Sequence, residues 1–264
     1  MVAWRAYPLL LIALATAHAA GSFPDVHWLL ARSVEANDAD WKADPHYSYT
    51  ERDRTGTGTI TYQVTMLLGT PYSRRVMVNG RPLAPGQAQE QQQKYERTLA
   101  ARQAESPRER ESRIATWQKD RDRDHLMMSQ LTTAFRFRIL RQQALDGRQV
   151  WVVKATPRPD YQPPNMEAEA LKGMAGTLWI DTATCQWVKV EARVIRPVSI
   201  AGFLAEVEPG TYFELEKEPV SQGIWLTRHF EMRSTAKVLG FFHRRSAADE
   251  TYSDYRLSAN APAR

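Results

Sequence analysis

The sequence predicts a mainly β protein of the α+β class, built on one large antiparallel sheet of about eleven strands. Three observations carry that prediction. Segments of period-two alternation recur along the chain, as in TGTITYQVTML, where Ile60, Tyr62, Val64 and Met66 share one face and Thr59, Thr61, Gln63 and Thr65 the other. Turn signals separate these segments, among them Asn79-Gly80 and Asp146-Gly147. No helix alternates regularly with the strands, so a parallel βαβ arrangement does not fit. A sheet this wide twists and curls into a partial barrel.

The elements follow in order. Arg5 precedes the apolar run LLLIALATA, and small residues stand at Ala17 and Ala19, so residues 1–20 read as a secretory signal cut after Ala19 or Ala20. That run is too short to span a bilayer. Residues 21–264 read as one domain outside the cytoplasm, in a bacterial periplasm. In FPDVHWLLARSVEAND, Val26, Leu29, Leu30, Ser33 and Val34 fall on one face of a short amphipathic helix. YSYTERD, TGTITYQVTML and PYSRRVMVNG follow as neighbours in a meander.

From about Gln87 to Met128 the period becomes helical. The stretch SPRE at Ser106–Glu109 carries a Ser N-cap, Pro in the first helical position and Glu three residues on, so two helices are expected, at 87–105 and 107–128. Their charges interleave and their apolar stripe is narrow, which suits helices lying against a sheet. FRFRIL and QVWVVKAT then form a hairpin, and the prolines of PRPDYQPP mark a loop. After a short turn at Leu171 and Met174 come GTLWIDTATCQWVKVEARV, AGFLAEV, TYFELEKEPV, GIWLTRHFEMR and ETYSDYRL, all alternating.

The hairpin GTLWIDTATCQWVKVEARV puts Leu178, Ile180, Val188, Val190 and Val194 on one face. With a three-residue loop at Thr182–Thr184, Trp179 and Trp187 stand opposite each other on the charged face. Trp225 likewise shares a face with Thr227, His229 and Glu231. These tryptophans either lie flat under Arg and Lys, are covered by the insertion helices or the proline-rich loop, or form a ligand or partner surface.

The apolar face is the larger question. Leaving it bare would be costly at roughly 25 cal/mol per Å². Either helices plug the concavity or something lipophilic fills it.

Composition and motifs exclude several functions. The net charge is +5 with a pI near 9.3, but acidic and basic residues interleave and no nucleic-acid motif appears. The histidines are scattered without metal spacing, and there is no nucleophile elbow, P-loop or dinucleotide fingerprint. No metal, no cofactor and no catalysis are expected. Cys185 is the sole cysteine, so no internal disulfide forms, and none stands near the cleavage region for lipidation.

The signal, the amphipathic helix, GTLWID followed by a strand, the late GIWL and the final YSDY resemble the outer-membrane lipoprotein carrier and sorting proteins, the LolA/LolB-like superfamily, with its periplasmic sorting-like members. The resemblance implies a half-barrel with helices covering its concave face, which accepts acyl chains. Two departures stand out: the charged insertion at about 87–128, which would act as a lid or fill the groove, and the missing lipidation cysteine, which matches a soluble carrier. No family residue transfers to a position here.

The function read from the sequence is therefore a periplasmic carrier or chaperone for a lipid or lipoprotein acyl chain, working as a monomer without a transmembrane segment or nucleic acid. Tyr62, Val64, Phe135, Phe137, Leu178, Ile180, Val188, Phe213 and Leu226 are the candidate groove residues. The competing reading is an envelope sensor or regulatory domain that binds a protein partner through Trp179, Trp187 and Trp225. An envelope hydrolase is a distant third.

Overall fold

The computed structural model describes residues 23–165, 167–200, 205–238 and 242–258. The signal read at residues 1–20 and the first four residues of AGFLAEV lie outside them. Helix α1 (Val26–Ala43) begins at Asp25, whose side chain accepts the Trp28 amide at 2.8 Å. Strands β1 (Tyr47–Thr55), β2 (Gly58–Leu67), β3 (Thr70–Val78) and the two-residue β4 (Arg81–Pro82) follow. Then come helices α2 (Pro85–Ala104), α3 (Pro107–Ser129) and α4 (Leu131–Ala134). Strands β5 (Phe135–Leu145) and β6 (Arg148–Pro157), a 3-10 segment (Glu167–Gly173), β7 (Met174–Asp181) and β8 (Trp187–Val194) come next. The chain closes with β9 (Val198–Ile200), β10 (Ala205–Val207), β11 (Tyr212–Ser221), β12 (Ile224–Val238) and β13 (Phe242–Leu257).

All described strands belong to one antiparallel sheet, ordered β4-β3-β2-β1-β13-β12-β11-β8-β7-β6-β5, with β9 and β10 as a side ribbon on β12. The sheet is not closed into a barrel. The mainly β, open half-barrel read from the sequence is the fold found. Its turns follow the expected chemistry: Asn79 and Gly80 have φ of 53° and 72°, Asp146 and Gly147 49° and 76°, the left-handed pair that a two-residue hairpin needs.

The strands do not follow chain order across the sheet. The sheet is two meanders, β1–β4 and β5–β8 with β11–β12, joined because β13 inserts between β1 and β12. The chain therefore leaves one edge of the sheet at β4 and re-enters at the other edge with β5. Helices α2 to α4 make that passage, and α3 alone, with 23 residues, covers about 35 Å. The expected capping box at the α2–α3 junction is present: Ser106 N donates to Glu109 Oε2 at 2.8 Å and Glu109 N to Ser106 Oγ at 3.3 Å.

Two arginines dock this crossover on the β2–β3 turn. Arg102 donates to the carbonyls of Leu67 (2.6 Å) and Thr70 (3.0 Å). Arg113 donates to Thr70 Oγ1 (2.7 Å) and the Leu68 carbonyl (3.1 Å) while holding Glu105 at 2.6 Å. Helix α2 buries no side chain. Its stability comes from these anchors and its flanking helix rather than from a core of its own.

Candidate functional site

Helix α1 defines the inner face of the sheet. Leu29 and Leu30 pack against Phe135, Val153, Leu178, Ile180 and Trp187, and this cluster is the main core. The helix does not fill the concavity. Beside it lies a cavity of about 340 Å³ walled by Phe135, Phe137, Leu178, Val190, Phe213, Leu215 and Met232, with Leu171 and Leu131 at its margins. The walls are almost wholly apolar, and no histidine or cysteine lines it. Its size lies within the range of small-molecule sites. Two small residues, Gly176 and Ala192, pair across β7 and β8 in its lining.

Four of the nine groove residues read from the sequence, Phe135, Phe137, Leu178 and Phe213, line this cavity. Ile180 is fully buried beneath α1 instead. Leu226 is buried beside a second, polar cavity at the C-terminal end of α1. Tyr62 and Val64 sit on β2, paired with Glu51 and Tyr49 of β1, and do not reach the cavity. Val188 belongs to the other face.

The hairpin explains Val188 and the tryptophans. Its loop is four residues, Thr182–Cys185, with Asp181 N bonded to the Gln186 carbonyl at 2.8 Å and Cys185 in the left-handed region at φ 59°. Asp181 Oδ1 accepts from Ala183 N, Thr184 N and Thr184 Oγ1 at 2.9 to 3.0 Å, which fixes the turn. A bulge then pairs Ile180 with Trp187 and Trp179 with Lys189, so the extra residue, Val188, turns outward. Trp187 moves into the inner core. Val188, Val150 and Trp225 form a small outer core against Trp179.

Trp187 and Trp225 are each 3% exposed, so the three tryptophans are not a free contact surface. Cations cover the outer pair: Lys189 Nζ lies 5.9 Å from the Trp179 ring centroid and the Arg148 guanidinium 4.6 Å from that of Trp225. The lone thiol, Cys185, is buried, and burial pushes its pKa up, away from reactivity.

The polar cavity, also about 340 Å³, was not legible in the sequence. Asp40 is its hub. It accepts from Trp225 N at 2.8 Å and Gln186 Nε2 at 3.1 Å, and pairs with Lys217 Nζ, which also donates to Asn37 Oδ1 at 2.8 Å. Burial pushes the Asp40 carboxyl up against the pull of Lys217, and burial pushes the Lys217 ammonium down against the pull of Asp40. From α3, Arg121 lies over Trp41 at 4.5 Å, and His125 stacks on the same ring at 4.3 Å. The charges are balanced, so this cavity fastens α1 to β11, the β7–β8 turn and the start of β12. Of the crossover helices only α4 reaches the apolar cavity, through Leu131, and no residue of α2 or α3 lines it, so the expected lid or plug at 87–128 is instead a brace against α1 and β3.

Two further clusters are structural. On the outer face Glu214, Glu216 and His229 bring ligand atoms within 4.8 Å of one another, a grouping with metal-like donors that the scattered histidines concealed. Lys189 Nζ already pairs with Glu214 (3.1 Å) and Glu216 (3.7 Å), so a cation of the protein's own occupies it. On β1 and β13, Asp53 pairs with Glu250 across the ladder, two residues along from Glu51. Burial, then Asp53, then Glu250 push the Glu51 carboxyl up from 4.5 to about 7.

Because the folded protein binds that proton more tightly than the unfolded chain, the stabilisation is complete below pH 4.5 and is lost as pH rises through about 7. The expected loss is about 1–2 kcal/mol once solvent screening is allowed for. Urea unfolding at a series of pH values reads it, and Glu51→Gln should flatten the slope. An unchanged slope in the variant would assign the titration elsewhere.

An open antiparallel sheet with a helix in its concavity and an apolar cavity beside that helix defines the class. No protein-family model matches the chain, and no curated protein does. Among solved structures, the chain is similar to an outer membrane lipoprotein-sorting protein domain from Vibrio parahaemolyticus, at 10% identity over 87% of this chain and 94% of that one, TM-score 0.33. It is similar to a DUF1329 family protein from Desulfovibrio piger at 8% identity, over 90% and 95%, TM-score 0.33. It is also similar to the MucA/MucB complex of Pseudomonas aeruginosa at 11%, over 86% and 99%, TM-score 0.23. The lipoprotein-sorting resemblance read from the sequence thus recurs among solved structures. No helix among the described residues is long and apolar enough to cross a membrane.

Proposed function

We propose that the protein is a carrier in the bacterial envelope that holds an acyl chain of a lipid or lipoprotein in the inner cavity and performs no chemistry on it. The observation that supports this reading is the cavity wall itself. A folded core closes its apolar surface on itself at crystal-like density. Here Phe137, Leu178, Val190, Phe213 and Met232 face about 340 Å³ that α1 leaves unfilled. An apolar chain entering that space removes those side chains from water and makes no demand on polar partners.

The test is a titration of the protein with fluorescent acyl probes of increasing chain length. Each methylene buried contributes about 0.8 kcal/mol, so affinity should rise about fourfold per carbon and then level off once the cavity is full. An affinity independent of chain length would overturn the reading.

A further inference from the structure

A second space adjoins the apolar cavity and, unlike it, carries basic side chains among its apolar ones. It is a cleft of about 510 Å³ between the N-terminal half of α1 and the α4–β5 junction, lined by Val26, His27, Leu30, Arg136, Arg158 and both Phe135 and Phe137. Those two phenylalanines also wall the cavity, so cleft and cavity are separated by, and share, the same pair of rings. We propose that the carried molecule is an anionic amphiphile, its chain in the cavity and its acidic group in this cleft. This rests on the acyl-chain reading above.

The charge balance of the cleft is the first argument. It holds two arginines and a histidine, and no carboxylate lines it. Among the described residues neither Arg136 nor Arg158 forms an ion pair, whereas Arg113, Arg148 and Arg228 each hold a carboxylate. The polar cavity at the other end of α1 offers the contrast: there Lys217 and Arg121 meet Asp40 and Asp44, and nothing is left over.

Geometry is the second. Arg158 Nε donates to the Phe135 carbonyl at 3.0 Å, which pins the guanidinium beside the shared wall. Its two terminal nitrogens have no acceptor among the described residues, and they form the planar fork that suits a carboxylate or phosphate. An acidic group seated there would place the first carbons of its chain against Phe135 and Phe137, the entrance to the apolar space.

The experiment compares two probes with the same acyl chain, a monoacylglycerol and the corresponding monoacylglycerol phosphate, in competition with a fluorescent acyl probe. Wild-type protein should bind the phosphate-bearing probe about tenfold more tightly. The preference should shrink at about 1 M salt, where the Debye length is about 3 Å. Arg136→Gln, at an exposed position, should remove part of the preference, and Arg136→Gln with Arg158→Gln all of it, read as the ratio of the two probe affinities within each variant. Inorganic phosphate alone should displace nothing, which would separate an amphiphile from a free anion. Equal wild-type affinities for the two probes, or a preference that survives in the double variant, would overturn the headgroup assignment while leaving the carrier reading intact. Failure of both probes to bind would overturn both.

Discussion

Asp40→Ala should cost about 3–5 kcal/mol of stability, the largest loss expected from any single polar substitution in this protein. Asp40 is almost completely buried and holds three donors from three elements: Lys217 of β11, Gln186 of the β7–β8 turn and the Trp225 amide of β12. Removing it leaves the Trp225 amide without its acceptor and the buried Lys217 ammonium without its carboxylate, held by Asn37 Oδ1 alone, while Gln186 keeps the Gly223 carbonyl. Lys217→Met should cost less, because Asp40 keeps the Trp225 and Gln186 donors and a methionine fills the space of the lysine stem.

The two variants should also differ in the sign of their pH dependence. Without Asp40 the depressed pKa of Lys217 falls further, so Asp40→Ala should regain stability as pH rises. Without Lys217 the raised pKa of Asp40 rises further, so Lys217→Met should regain stability as pH falls. Thermal unfolding across pH reads both. Equal losses with the same pH slope would mean that the pair is not the fastening of α1.

Ala192→Phe should weaken acyl-chain binding by about two orders of magnitude while leaving the fold intact. Ala192 lies on the cavity floor between Gly176 of β7 and Phe213 of β11. It borders the cavity, so a larger ring there has unfilled volume to enter and meets less of the usual cost of overpacking. A phenyl group occupies the room of about four methylenes, and at about 0.8 kcal/mol each the affinity should fall about two-hundredfold. Probe titration beside an unfolding curve separates the cases. Unchanged affinity in a folded variant would place the ligand elsewhere.

The sheet was largely legible because alternation, Asn-Gly and Asp-Gly turns and a capping box are local signals, each set within a few residues. What the sequence hid was set by long-range pairing. The α1 helix continues past Val34 because its buried stripe runs Leu30, Ser33, Asn37, Asp40, and a search for apolar periodicity stops where the stripe turns polar. Asn37 and Asp40 find their partners 146 to 185 residues away, a distance no motif spans. Val188 changed face because the bulge makes it the extra residue between Trp187 and Lys189, which turns Trp187 inward and Val188 outward while Val190 and Ala192 keep their predicted face.

The insertion read as a lid because its position in the chain does not reveal that β4 and β5 lie at opposite edges of the sheet. Of the cavity itself, the alternating strands identified Phe135, Phe137, Leu178 and Phe213. Val190, Leu215 and Met232 share their faces and were equally open to that reading. Arg158 stands in the proline-rich loop after β6, where no periodicity assigns a residue to a face.

The most direct measurement is native mass spectrometry of the protein purified from a bacterial periplasm, followed by organic extraction. A carrier predicts a bound mass near one equivalent that extracts as an acylated molecule, and its loss from the Ala192→Phe protein. Wild-type protein that carries no such mass and also takes up no acyl probe would contradict the account.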